Sequence, residues 1–152
     1  MEIKTLEAQP ALSLHLRTSL ATIKHDVGTY PEQLIEALQQ AHIEATGPMV
    51  FVYRNMRMQP DALFDLEIAL PVASTKNYSG AAQASTLNTF RYVETVHHGN
   101  LQSMSESTYP KFFGELAACD LQLSNESREV YRHFVDPSSA DNITLIQAGL
   151  RD

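Results

Sequence analysis

Glu129 is the side chain in this sequence with the strongest claim to chemistry. It stands in Arg128-Glu129-Val130-Tyr131-Arg132, a β-branched and aromatic run that reads as a strand over 129–134. Alternation along a strand puts Glu129, Tyr131 and His133 on one side, with Val130 and Phe134 on the other. A carboxyl group set among rings is costly unless it is hydrogen-bonded or paired. Such a group suits a cationic ligand, although the spacing alone fits a solvated glutamate on an edge strand equally well. Tyr53, Tyr92, Tyr131, Phe51 and Tyr30 are the candidate walls of a pocket around it. Aromatic faces attract flat apolar ligands, and a cation over a ring gains roughly 0.5–2 kcal/mol. Taken singly, each ring fits plain core packing; as a group they point to a pocket.

Other chemistries find little support. Asp65 and Glu67 share the side of a strand opposite Phe64, Leu66, Ile68 and Leu70, as expected of a solvated face. Placed near Glu129, such a carboxylate would raise its pKa and make an acid/base site. His97 and His98 are adjacent and so point to opposite sides of a strand, where they cannot share a metal. No Cys, His and carboxylate set has metal-ligand spacing, and there is no phosphate loop or nucleophile elbow. Neither metal nor cofactor is expected. Cys119, the lone cysteine, lies on an apolar helical stripe and is expected in the core; it precludes an intramolecular disulfide and points to a reducing, cytoplasmic setting. A net charge of −7 without a basic run or helix-turn-helix pattern argues against direct nucleic-acid binding. No apolar run approaches the roughly 20 residues of a membrane span, and the first ten residues lack the apolar stretch of a signal peptide.

The elements that must position these residues come in two copies. Thr29-Tyr30-Pro31 recurs as Thr108-Tyr109-Pro110, and Val52-Tyr53-Arg54 as Val130-Tyr131-Arg132, in the same order and at nearly equal spacing. Each copy follows a strand-like stretch ending in glycine, 20–28 in the first and 90–99 in the second. The first half reads as a strand over 12–23, then a helix with Thr29 and Glu32 as a capping box and a stripe of Leu34, Ile35, Leu38 and Ala41. Strands over 49–53 and 64–70 complete it. The second half repeats the order. A strand over 90–97 leads to a helical stripe of Leu101, Met104, Thr108, Phe112, Leu116 and Cys119, which Pro110 should kink or restart, and strands over 129–134 and 143–150 follow. The expectation is one α+β domain over 1–152. It comprises tandem βαββ units of about 1–74 and 87–152 joined by a linker of about 75–86, with pseudo-twofold symmetry. Its sheet is mostly antiparallel, with helices on one face and a central ligand cleft.

With these units the chain resembles the GyrI-like small-molecule-binding family, the bacterial transcription-activator effector-binding domain found with AraC-type and MerR-type regulators and also alone. The resemblance rests on Gly28-Thr29-Tyr30, Gly47-Pro48 before Tyr53, the run from Phe64 to Val72, and His98-Gly99. Its most specific part is Arg128-Glu129-Val130-Tyr131 with Asp136-Pro137 and the closing Ile143-Thr144-Leu145-Ile146-Gln147. It implies two βαββ units around a ligand cleft, with Glu129 contacting aromatic and often cationic compounds. A free-standing binding domain that sequesters its ligand, or reports it to a regulator, is the leading expectation. Some members of the family hydrolyse electrophilic small molecules, which would make Glu129 a base acting on water. Enzyme-like members often carry a cleft tryptophan, and this chain has none. The family name also implies a third role, a protein-interaction inhibitor of DNA gyrase.

Overall fold

Phe64, Leu66, Ile68 and Leu70 recur at every second residue, and their segment is strand β4 (Phe64–Pro71) with all four side chains in one core. The computed structural model describes residues 1–151. The other strands are β1 (Lys4–Leu6), β2 (Gln9–Thr18), β3 (Val50–Arg54), β5 (Gln83–Leu87), β6 (Phe90–His98), β7 (Leu123–His133) and β8 (Ile143–Leu150). All pair antiparallel in one sheet of order β1-β6-β8-β7-β3-β4-β2-β5. Helices α1 (Ile23–Val27) and α2 (Tyr30–Gln40) serve the first half. The second half has α3 (Leu101–Ser103), a π-helical turn (Met104–Thr108) and α4 (Tyr109–Ala118). Leu34 and Leu38 of α2 pack on one core, and Phe112 and Leu116 of α4 on a second.

The tandem βαββ arrangement is visible in the strand order. β6-β8-β7 and β3-β4-β2 are equivalent blocks that meet at β3 and β7. Phe51 stands opposite Glu129 in that central pairing. The pseudo-twofold axis therefore passes between these two residues, in the same alignment that matches Val52-Tyr53-Arg54 to Val130-Tyr131-Arg132. Gly28 and Gly99, which precede the helices of the two halves, both adopt positive φ (46° and 119°), where a side chain would be strained.

Short links curl the sheet. Leu6 faces Phe90 in β1–β6 and Gln9 faces Leu87 in β2–β5, so one register runs across both breaks. Yet β1 and β5 are the opposite edges of the sheet. Laid flat, eight strands would span about 34 Å, whereas the three steps from Leu6 to Gln9 reach at most about 11 Å. Only a curled half-barrel satisfies both. The helices cover its outer face. The inner face holds a third core of Ala11, Val50, Val52, Ala69 and Leu87.

Several expectations change. The 20–28 stretch is not a strand: it contains α1, tied by Thr18 and Thr22 hydroxyls that both donate to Asp26 (2.7 and 2.8 Å). The Thr29–Glu32 capping box does not form; Thr29 Oγ1 instead accepts from Gln33 Nε2 (2.9 Å). Ile35 of the predicted stripe is exposed. The segment expected as linker contains β5, held by pairing with β2. Pro110 does restart the helix. Its missing N–H falls in the first turn of α4, directly after the π-helical turn. Cys119 is half-buried at the end of α4 rather than in the core.

Glu67 is the largest departure. Asp65 is exposed as expected, but Glu67 is buried on the inner face of the curl. It accepts from Ser13 and Ser85 (2.6 and 3.0 Å) and pairs with Arg54 (2.9 Å). Arg54 also reaches Glu126, which binds Arg128 (2.7 Å). Burial pushes the Glu67 pKa up. The hydrogen bonds from Ser13 and Arg54 and the charges of Arg54 and His15 outweigh it, so the net shift is downward. A depressed carboxyl pKa stabilises the fold above the unfolded value of about 4.3, and that contribution is lost as the pH falls through the folded value. Glu67→Gln is therefore expected to lower the melting temperature at neutral pH. In calorimetry, the gap to the wild type should close as the solution is acidified below about pH 4.

Candidate functional site

Register decides which side chains meet on the helical face. Glu129 in β7 lies between Phe51 of β3 and Ile146 of β8. Tyr53 and Tyr131 are two residues farther along their strands, on the same face. Tyr53 and Tyr131 both donate their hydroxyls to Glu129 Oε1 at 2.7 Å. Tyr109, on the first turn of α4, donates to Glu129 Oε2. Glu129 is only 6% exposed. Among the described residues, no Lys, Arg or His forms a salt bridge with it. Three phenols thus fill three of the roughly four acceptor positions of a carboxylate, and no protein cation is added.

The rings form a connected wall. Phe51 meets Tyr131 edge-on at 5.0 Å between centroids, and Tyr53 is tilted against Phe64 at 5.9 Å. Tyr131 also meets Phe134 edge-on (5.9 Å), and Tyr109 touches Phe113 (5.6 Å). Phe134 and Phe113 are 46% and 42% exposed, so apolar rings lead from solvent to the phenols around Glu129. Phe134 was expected on the opposite side. A register shift between Tyr131 and His133 inserts a bulge, which returns Phe134 to the side of Glu129 and turns His133 away.

Of the rings named from sequence, Tyr53, Tyr131 and Phe51 gather at Glu129. Tyr92 does not. It is on the inner face, stacked on Phe90 at 5.2 Å, because its partner Gly149 belongs to the face of β8 opposite Ile146. Tyr30 is half-buried on α2 against the first core and gives no hydrogen bond to Glu129. Its repeat equivalent, Tyr109, takes that role and was missed, although the duplicated Thr-Tyr-Pro motif carried the signal. His97 is buried among Thr108, Asn100 and Ser103, and anchors the π-helical turn ahead of Tyr109. Asp65 and Glu67 face away from Glu129, which removes the second carboxylate of an acid/base pair.

No family model matches the sequence, and no curated protein matches it. Solved structures share the fold. The chain is similar to EcmrR in an EcmrR–DNA complex (TM-score 0.78, 16% identity), covering 99% of this chain and 57% of that one. It is similar to SAV2435 bound to tetraphenylphosphonium (TM-score 0.70, 13% identity), covering 99% and 93%. It also matches a structure described as a bacterial transcription regulation protein of Staphylococcus aureus MU50 (TM-score 0.68, 12% identity), covering 99% and 97%. The architecture is therefore the one that the GyrI-like resemblance implies.

Burial, then the charge of Glu129, pushes the Tyr53, Tyr109 and Tyr131 hydroxyls well above the usual tyrosine value. Raised values stabilise the fold fully below the unfolded pKa of about 10, and the contribution disappears as the pH rises through the folded values. Followed by tyrosinate absorbance, with single Tyr→Phe variants to assign the signal, these three should ionise only well above the usual tyrosine value. Glu129→Gln should bring them part of the way down, since burial remains. Ionisation of Tyr53, Tyr109 and Tyr131 near pH 10 in folded protein would contradict the geometry.

Proposed function

We propose that the protein is a small-molecule-binding domain that captures hydrophobic, aromatic cations over the Glu129 carboxyl group. The observation that carries this reading is a buried acceptor group with three phenol donors and, among the described residues, no basic partner. Such a group keeps unspent attraction for a positive ligand, and the surrounding rings add cation–π contacts. Phe113 and Phe134 supply exposed apolar surface beside it, as an approach for a flat ligand. The shared fold with SAV2435, which holds tetraphenylphosphonium, supports the same class of ligand.

The hydrolytic alternative has less to recommend it. The three phenols leave Glu129 about one open acceptor position, and with Asp65 and Glu67 facing away no second carboxyl group stands beside it for acid/base work. A binding role uses that arrangement without disturbing it.

The test uses tetraphenylphosphonium and a neutral aromatic of similar size, tetraphenylmethane solubilised with detergent. Glu129→Gln should weaken the cation by about 1–3 kcal/mol, as expected on losing a desolvated charge pair, and leave the neutral compound nearly unaffected. Equal losses for both in calorimetry would remove Glu129 from the proposal. Replacing Tyr109 by Phe should weaken the fold by about 1–3 kcal/mol through the lost bond to a buried acceptor, read from denaturant unfolding.

A further inference from the structure

The inner face of the curl holds a cavity of about 480 Å³, separated from Glu129 by the thickness of the sheet. Its size is within the about 300–1,000 Å³ typical of small-molecule sites. Val50, Leu87, Val130 and Leu145 give it apolar walls, with the Tyr92 ring at one side. Into this lining comes Gln147, which is 3% exposed. Its Nε2 donates to Glu94 Oε2 (2.8 Å), while its Oε1 is buried and has no hydrogen-bond partner among the described residues. The amide cannot be turned over to cure this, because Oε1 would then face a carboxylate oxygen. A buried acceptor without a donor is costly, and few native groups are left so.

The charges lining the cavity restrict what could supply that donor. Glu94 is paired with Lys4 (3.3 Å) as well as receiving Gln147. Arg128 is neutralised by Glu126 and lies over the Phe90 ring at 3.9 Å. Arg132, the other cation lining the cavity, is exposed to solvent. A charged ligand would find no buried counter-charge left to pair with. We propose that this cavity is a second binding site, for a neutral, flat, mostly apolar molecule with one N–H or O–H group that donates to Gln147 Oε1. The site goes beyond the cation site at Glu129 and shares no side chain with it.

Indole and benzofuran are the probes, being nearly equal in shape and differing in the N–H donor. Calorimetry of the full chain is expected to show indole binding roughly three- to tenfold tighter than benzofuran, the value of one net hydrogen bond. Indole should bind equally well in the presence of saturating tetraphenylphosphonium. It should shift the methyl resonances of Val50, Leu87, Val130 and Leu145, and leave those of Leu34 and Leu38 in place. Gln147→Leu should abolish the preference for indole over benzofuran, and Gln147→Met serves if the leucine variant does not fold. No binding of either probe up to its solubility would overturn the proposal. Equal affinities in the wild type, or stoichiometric displacement of indole by tetraphenylphosphonium, would do so as well. Should tetraphenylphosphonium fail to bind at all, the reading of Glu129 falls, and the indole–benzofuran comparison still decides the second site.

Discussion

A carboxyl group taken out of water must be met by donors, and the whole arrangement of this protein around Glu129 follows from meeting that demand. The donors come from three elements. Tyr131 belongs to the same strand, Tyr53 to the neighbouring strand of the other repeat, and Tyr109 to the helix packed above. Each hydrogen bond to a charged group contributes about 1.5–3 kcal/mol, so the cluster also joins the two halves and fixes α4 over the sheet. Removing any one phenol leaves an acceptor to be satisfied from elsewhere.

The second organising constraint is the length of the links between sheet edges. Two residues join β1 to β2 and two join β5 to β6, so the edges cannot separate and the sheet must bend. Bending gives the sheet two unlike faces. The outer one is covered by α2 and α4 and carries the phenols. The inner one is lined by apolar residues and by the Arg54, Glu67, Glu126 and Arg128 chain of ion pairs. A buried chain of this kind holds geometry more than it adds stability, since desolvation offsets much of its attraction.

Much of this could be read from the residues. The duplicated Val-Tyr-Arg motif makes Phe51 the repeat equivalent of Glu129 and Tyr53 that of Tyr131, and the Phe51–Glu129 pairing in the structure agrees with that alignment. What could not be read is anything that depends on pairing between strands. Alternation assigns the sides of one strand, but it does not say that Tyr92 and Glu129 are on different faces of the sheet. The bulge after Tyr131 has no marker such as glycine, so Phe134 was assigned to the wrong side. Glu67 fits a solvated position by pattern, and only the curl of the sheet encloses it. The β5 segment, Gln83–Leu87, has ordinary loop composition and is a strand because β2 offers it an edge. Helix α1 is hidden by the β-branched Thr22, Ile23 and Val27; Thr22 and Thr18, the last residue of β2, donate their hydroxyls to Asp26 and fix the turn into the helix.

The pairing of Phe51 with Glu129 across the axis has a consequence for how such a protein can be assembled at all. Residues directly opposite on antiparallel strands have Cβ atoms about 4.5–5.5 Å apart. Two identical subunits related by a true dyad would put either two phenylalanines or two glutamates there. The first version has no anion, and the second forces like charges together, so that one of them must take up a proton. A single acidic group at the centre is closed to a symmetric homodimer, and this chain reaches it by carrying two unlike halves.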